Sequence, residues 1–305
     1  MEGNSEQAKK YVFMNGEYVL EKDATVSVFD HGFLYGDGIF EGIRVYSGNV
    51  FRLKEHIDRL YDSAKSILLE IPISKDEMIN NVVETVKKNK MKDAYIRLVV
   101  SRGKGDLSLN PLSCEKPQII IIISKIKLFP DEMREKGLKI ITVPTRRNRP
   151  DALNPKIKSL NYLNNVLVKI EANLAGVGEA LMLNSEGYVS EGSGDNIFIV
   201  KNNKIYTPPS YLGALEGITR QAILDIAKKL GYVVYEQPFT RHDVFVADEV
   251  FLTGTAAEVI AVSEIDGRII GNGSSGPITK HLLEEFQKLV TEDGVKVYHD
   301  VEQTA

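Results

Sequence analysis

The chain is poor in the features that build metal centres, crosslinks and membrane spans. It has one cysteine, Cys114, in 305 residues, so no intrachain disulfide and no cysteine-built zinc site can form. Cys114 has no neighbour that would activate it and reads as a bystander thiol. The histidines number five and are scattered, with no H-x-x-x-H pair, so no metal is expected. No apolar run approaches the ~20 residues of a membrane span, and the opening MEGNSEQAKK is too polar for a signal peptide. The cytoplasm is the expected compartment, with no membrane partner. Basic residues do not outnumber acidic ones: 38 against 42 give a net charge of -4. That balance offers no electrostatic case for nucleic acid. The one basic cluster, Arg146, Arg147 and Arg149, is short and reads as a solvated face. Neither a G-x-G-x-x-G loop nor a P-loop lysine motif is present.

What is present is an ordinary globular composition, 43% hydrophobic and 26% charged, which excludes disorder of the whole chain. The length favours two domains. From Tyr11 the chain reads as short strands and turns. YVFMNGEYVLE is a hairpin turning at Asn15-Gly16. ATVSVFDHG alternates and is expected to be a strand. Two more strands flank Ser47-Gly48-Asn49. Helical spacing of Leu53, Ile57, Leu60, Ala64 and Ile67 predicts a helix over 53–69, and another follows over 75–89. AYIRLVVSRG and PQIIIIISKI read as strands, the second apolar enough to be buried on both faces. The charged, turn-rich stretch 128–137 is the expected linker between an N-terminal α/β domain, 1–127, and a larger C-terminal domain, 138–305. The second half opens with LKIITVPT. A helix after Lys158 carries Leu163, Val166, Leu167, Ile170 and Leu174 on one face and stops at Gly176. Strands follow at EALMLN, YVSE and NIFIV. GITRQAILDIAKKLG is a helix with Thr219 as its expected cap. EVFLTGTAAEVIAV is strand, turn, strand, and a last helix spans about 277–290. Hairpins are too frequent for a doubly wound sheet. Two α/β domains, the second with a barrel-like sheet, fit better.

Several residues could carry chemistry. Gly217 and Ile218 precede a helix, whose free N–H groups favour an anion. The turn from Thr253 to Ala257 offers more N–H groups and hydroxyls. Arg59 lies off the apolar stripe of its helix, and an ion pair with Asp58 is the plainer reading. Glu191, before Gly192 and Gly194, could pair with a protonated ring nitrogen or be a hairpin bend. Tyr95 and Arg97 alternate on one strand and share a face, which suits a carboxylate or simply a polar edge. Lys158 follows a proline-fixed approach. A lysine becomes a nucleophile only when its pKa falls well below ~10.4, and nothing in the spacing requires that here.

In order along the chain, DHGFLYGDGIFEGIRVY, HIDRLYDSAK, AYIRLVVSRG, KSLNYLNN, SEGSGDNIF, GITR and GTAAEV resemble the class IV, fold-type IV pyridoxal-phosphate enzymes. The resemblance runs from about Tyr11 to about Val290. FEGIRVY and AYIR are most similar to the branched-chain amino acid aminotransferases. D-amino acid aminotransferases and aminodeoxychorismate lyases share the lysine, glutamate and phosphate motifs and remain the alternative. KSLN also occurs in the D-specific branch, which leaves substrate range open. The resemblance implies Lys158 as the lysine that holds pyridoxal 5'-phosphate covalently, and Tyr162 as partner of its phenolic oxygen. Glu191 is implied at its ring nitrogen. Arg59, Gly217, Ile218, Thr219, Gly254 and Thr255 are implied around its phosphate. The implied substrate positions are Tyr35, Phe40, Arg44, Tyr95, Arg97, Leu109, Thr255 and Ala256. Tyr35 and the loop 103–111 are implied to reach in from a second subunit, hence a homodimer and possible further assembly. The implied substrates are branched-chain L-amino acids and 2-oxoglutarate.

Overall fold

The computed structural model describes residues 9–126, 129, 130, 133 and 136–298. Their contacts divide into two compact units, one within Met1–Ile126 plus Thr291–Ala305, the other within Lys127–Val290.

The first unit is built on a seven-stranded sheet. Its strands are β1 (Tyr11–Met14), β2 (Glu17–Leu20), β3 (Gly38–Tyr46), β4 (Asn49–Phe51), β5 (Ala94–Ser101), β6 (Gln118–Ser124) and β16 (Gly294–Lys296), in the order β16-β4-β3-β5-β6-β1-β2. Every pairing is antiparallel. Helices α2 (Leu53–Ser66) and α3 (Lys75–Lys88) cover one face. Ile39, Ile43, Ile96, Leu98 and Ile121 from the sheet pack there with Leu53, Ile57, Leu60, Met78 and Val82 from the helices. Each such side chain, fully buried, contributes about 1.5–3 kcal/mol. A short helix, α1 (His31–Tyr35), leads into β3, capped by the Asp30 carboxylate, which accepts from the Gly32 N–H. Ser74 caps α3 in the same way.

The second unit has a nine-stranded sheet. It comprises β7 (Leu138–Thr142), β8 (Glu179–Leu183), β9 (Val189–Gly192), β10 (Asn196–Lys201), β11 (Lys204–Thr207), β12 (Val233–Glu236), β13 (Glu249–Gly254), β14 (Glu258–Ile265) and β15 (Arg268–Ile269). The main path is β12-β11-β10-β13-β14-β7-β8-β9, with β15 on β14. Strand β9 ends this path, yet only residues 193–195 join it to β10 in the middle. The Gly192 N–H donates to the Asp195 carbonyl at 2.7 Å. The sheet must therefore curl round so that its end approaches β10, which gives the expected barrel-like form. Helices α4 (Leu163–Leu174), α5 (Ile218–Lys229), α6 (Arg241–Phe245) and α7 (Pro277–Leu289) complete the unit.

Several expectations need correction. Residues 24–29 form no strand; Val26, Val28 and Phe29 are exposed, and only Asp30 makes an isolated bridge, to Lys104. Alternation alone gives no strand without a neighbour to pair. Strand β6 is not buried on both faces. Ile119, Ile121 and Ile123 are buried, but Ile120 and Ile122 only in part. In α4 the apolar stripe points outward, with Leu163, Val166, Leu167, Ile170 and Leu174 exposed. Val168 and Ala172 pack inward on Ala180 and Met182. Gly217, not Thr219, caps α5. The end of the chain differs from the expected 138–305 domain: β16 pairs with β4 of the first unit. The expected linker, 128–137, lies partly outside the described residues.

Candidate active site

In the second unit, Lys158 stands in the irregular stretch ahead of α4. Backbone turns bracket it: the Ile157 N–H donates to the Asn154 carbonyl at 3.0 Å, and the Ser159 N–H to the Ile157 carbonyl at 2.9 Å. Its Nζ donates to Tyr162 Oη at 3.1 Å. Lys156, two residues earlier, is directed elsewhere, in an exposed ion pair with Glu216 at 2.7 Å.

Glu191 is buried on β9. Its Oε1 meets an Arg147 amino nitrogen at 2.7 Å. Its Oε2 accepts from Asn196 Nδ2 at 3.1 Å and from the Leu215 N–H at 2.9 Å. Burial pushes this carboxyl up from its ordinary value; the charge of Arg147, the Leu215 N–H, Lys158 and Arg220 pull it back. Arg147 is itself buried, so the solvated-face reading of its cluster fails at this residue.

Asn196 joins the parts. It pairs with Thr253 across the sheet, and its Nδ2 also donates to the Leu215 carbonyl at 2.9 Å. Its Oδ1 lies 2.1 Å from where a Cβ on Gly217 would fall, and Asp195 Oδ1 lies 2.0 Å from the same point on Gly254. Any side chain at either glycine would push these groups out. Glu191, the start of α5 and the Gly254 turn therefore meet around the first residues of β10. No side chain caps α5 among the described residues, which leaves its first N–H groups for an anion. Ile218 and Thr219 are its first two residues, and Thr255 and Ala256 lie in the turn after Gly254. Thr253 Oγ1 and Asp195 Oδ2 are buried without a hydrogen-bond partner among the described residues. Burial, and then the charge of Glu179, push the Asp195 carboxyl up.

These groups suit one kind of ligand. An amine beside a phenol can take a carbonyl carbon. A buried carboxylate can pair with a cationic ring nitrogen, and an uncapped helix start can hold a phosphate. Pyridoxal phosphate has all three.

In the first unit, Gly42 pairs with Arg97 and Arg44 with Tyr95. Directly opposed residues share a face, so Phe40, Arg44, Tyr95 and Arg97 line the side of the sheet away from α2 and α3. The Arg97 guanidinium lies 4.5 Å over the Phe40 ring and donates to Tyr95 Oη at 3.2 Å. Arg44 lies 4.8 Å over Tyr46. Ile120 and Ile122 are half-buried because they belong to this same face.

Arg59 is on the other side. Its Nε and one amino nitrogen each donate to Glu41 at 2.8 Å, and the third bond to that carboxylate is from His56 Nδ1, also 2.8 Å. Asp58 pairs with Lys75 instead. Burial alone would raise the Glu41 pKa, but Arg59 and His56 hold it well below the usual carboxylate range.

Tyr35 and the loop 103–111 form a separate group. Tyr35 Oη donates to the Leu107 carbonyl at 2.6 Å, and His31 Nε2 bonds the Asp106 carbonyl at 2.8 Å. The two rings meet edge to face at 5.1 Å. Leu109 is exposed, as are Phe33 and Leu107.

From the sequence, Glu41 and Asn196 had no assigned role, and Arg147 had only that of a solvated charge. Glu41 carried a signal: it is a charged residue at a core-facing position between Ile39 and Ile43. Arg147 and Asn196 carried none.

Comparison with known proteins bears on the whole arrangement. Residues 38–265 match the family model of amino-transferase class IV. A Methanocaldococcus jannaschii protein, provisionally named a branched-chain-amino-acid aminotransferase, is 57% identical over 95% of this chain and 99% of its own. The crystal structure of the Escherichia coli branched-chain amino acid aminotransferase superposes with a TM-score of 0.91 at 38% identity, covering 94% of this chain and 96% of that one. The Thermobaculum terrenum branched-chain amino acid aminotransferase, solved in its pyridoxal-phosphate form, gives 0.85 at 30%, covering 93% and 94%. The family match begins at β3, with its aromatic face, and ends with β14, beyond the Gly254 turn; a chain that keeps the pattern over that whole span belongs to the class IV aminotransferases.

Proposed function

We propose that this chain uses pyridoxal 5'-phosphate to move the amino group between branched-chain L-amino acids (leucine, isoleucine, valine) and 2-oxoglutarate. The products are branched-chain 2-oxo acids and L-glutamate. The observation that carries the substrate reading is the face of β3 and β5, where an aromatic wall, Phe40, carries a guanidinium, Arg97, at 4.5 Å. One site must accept an aliphatic side chain and then a carboxylate, and this face offers both surfaces. The relatives bear names of the same activity. None of those named here is a D-amino acid aminotransferase or a lyase, so those alternatives are not favoured.

When bound, the cofactor supplies an electron sink for the pair left by the substrate's Cα proton. The chain supplies the rest. Lys158 holds the cofactor and, once released, takes the Cα proton at Nζ as general base, steadied by Tyr162 Oη at 3.1 Å. Glu191 faces the ring nitrogen and holds its proton there. Gly217, Ile218, Thr219, Gly254 and Thr255 cradle the phosphate with N–H groups and hydroxyls, and Arg59 adds a positive charge. Tyr95, Arg97 and Ala256, with the Thr255 backbone, bind carboxylates. Phe40 and Arg44, with Tyr35 and Leu109 reaching in from the second subunit, shape the space for the side chain.

The working form is a homodimer. The exposed stripe of α4 and the exposed Phe33, Leu107 and Leu109 support it, because contiguous apolar surface marks an interaction site. No helix among the described residues is long and apolar enough to cross a membrane. The proposal keeps the cytoplasm as compartment, where free amino and 2-oxo acids are exchanged.

The test is turnover of L-leucine with 2-oxoglutarate, run beside D-leucine. Activity on the D-enantiomer alone defeats the proposal. Lys158→Ala is expected to abolish turnover and the covalent cofactor absorbance. A borohydride-reducible attachment that survives in this variant assigns the cofactor to another lysine, with Lys156 the first to examine.

A further inference from the structure

We propose that Arg147 is a positioning residue that fixes Glu191 as an anion, and through it decides whether the bound cofactor's ring nitrogen carries its proton. The inference rests on the reading of Glu191 as that nitrogen's partner.

The guanidinium is held from three directions. Its Nε donates to the Gly213 carbonyl at 2.9 Å and one amino nitrogen to Asn165 Oδ1 at 3.0 Å. The other amino nitrogen meets Glu191 Oε1 at 2.7 Å. Asn165 is locked in turn, because its Nδ2 donates to the Ser193 carbonyl at 2.7 Å. Gly213 has φ of 100°, and a Cβ there would come within 3.1 Å of Arg147 Cγ. The chain thus reserves both the conformation and the room for this one side chain. Arg147 is 5% exposed. A guanidinium so deep and so fully bonded has no role in solubility.

A carboxyl group and a ring nitrogen in contact compete for one proton. In a buried setting the neutral arrangement, with the proton on the carboxyl, is favoured unless something stabilises the separated charges. Arg147 does so at contact distance on Oε1. The two donors on Oε2, Asn196 Nδ2 and the Leu215 N–H, carry no charge. Lys158 and Arg220 also favour the anion, while the Asp195 carboxyl is disfavoured as an anion in part by Glu191 itself. Arg147 is the charge bonded directly to Glu191. Without it, the one charge in contact with the carboxylate is gone, burial outweighs the more weakly placed Lys158 and Arg220, and the proton passes from the ring to Glu191.

The experiment reads the proton directly. The holoprotein is loaded with pyridoxal phosphate carrying 15N in its ring, and the nitrogen resonance is followed from pH 6 to pH 9. Wild type is expected to show the protonated signal at neutral pH and Glu191→Gln the neutral one. Arg147→Gln, with Glu191 in place, is expected to show the neutral signal too, with turnover down at least tenfold and the KM for L-leucine little changed. A protonated signal in Arg147→Gln, beside a neutral one in Glu191→Gln, overturns the inference and leaves the Glu191 reading intact. A protonated signal in Glu191→Gln removes that reading and this inference with it. Where Arg147→Gln does not fold, Arg147→Lys decides. It keeps a cation with a poorer contact, so its ring nitrogen is expected to lose the proton at a lower pH than wild type. An unchanged midpoint overturns the proposal.

Discussion

Replacing Glu41 by glutamine tests the buried charge cluster of the first unit. Glu41 has no exposed surface, and its carboxylate takes three bonds of 2.8 Å, two from Arg59 and one from His56. Glutamine keeps the shape but has one acceptor oxygen, and its amide would turn a donor toward other donors. Arg59, 12% exposed, would lose the carboxylate that takes two of its N–H groups. Removing one partner of a buried pair costs about 3–5 kcal/mol, on the order of 10 °C in the unfolding midpoint. The pH dependence has a definite sign. Glu41 ordinarily titrates near 4.5 and is held well below that in the fold. Below about pH 4.5 the unfolded chain binds a proton at this position that the native state does not, so acid destabilises the fold. The contribution is complete above that pH and drains away below it. Glutamine has no such dependence. Urea unfolding of both proteins at fixed protein and cofactor concentration, at pH 7 and at steps down to pH 3, measures this. The gap should narrow as the pH falls below about 4.5. A gap under about 1 kcal/mol at pH 7, the typical worth of an ordinary hydrogen bond, or one that stays constant to pH 3, refutes the reasoning.

Three further outcomes are expected. Arg97→Leu should weaken glutamate and 2-oxoglutarate by roughly 1.5–3 kcal/mol, tenfold or more in catalytic efficiency, while sparing L-leucine. Single-turnover rates of the two half-reactions measure it, and equal losses would return Arg97 to the shared α-carboxylate. Ile170→Glu, on the outward stripe of α4, should convert the proposed dimer to monomer in sedimentation; a dimeric mass in the variant means this face is not the contact. Tyr35→Phe removes the bond to the Leu107 carbonyl, worth about 1 kcal/mol, and should speed amide exchange over 105–109. Unchanged exchange there would mean that the loop's other contacts, His31 and the Asp30–Lys104 bridge among them, secure it without Tyr35.

Much of the scaffold was legible because local signals and tertiary demands agreed. The Asn15-Gly16 hairpin, α2, α3 and the paired strands β13 and β14 all follow from turn chemistry and periodicity. Periodicity failed where an apolar residue serves something other than its own unit's core. The stripe of α4 has the right spacing for burial but faces outward. Ile120 and Ile122 look like core and lie instead on the face that carries Arg97. The side chains proposed to carry the chemistry were legible as types at positions, since Lys158, Glu191 and Arg97 stand in distinctive strings. Their supporting groups were not. Arg147 reaches Glu191 across 44 residues of chain as counted on the sequence, and no local pattern records such a contact. Glu41 and Arg59 are 18 apart, on a strand and a helix whose packing had to be known first.

The three-residue join between β9 and β10 bears on how this architecture can change. Some turns of the second unit can lengthen at little cost: Ser185-Glu186 and Asn202-Asn203 are exposed tips. Loop length is a weak thermodynamic variable at such places. Residues 193–195 have no such latitude. One added residue would break the Gly192–Asp195 bond that brings the sheet's end to its middle and shift Asp195 from its seat against Gly254. Insertions and new ornament in descendants of this chain should therefore gather at the distant tips, while this short join keeps its length as its sequence drifts.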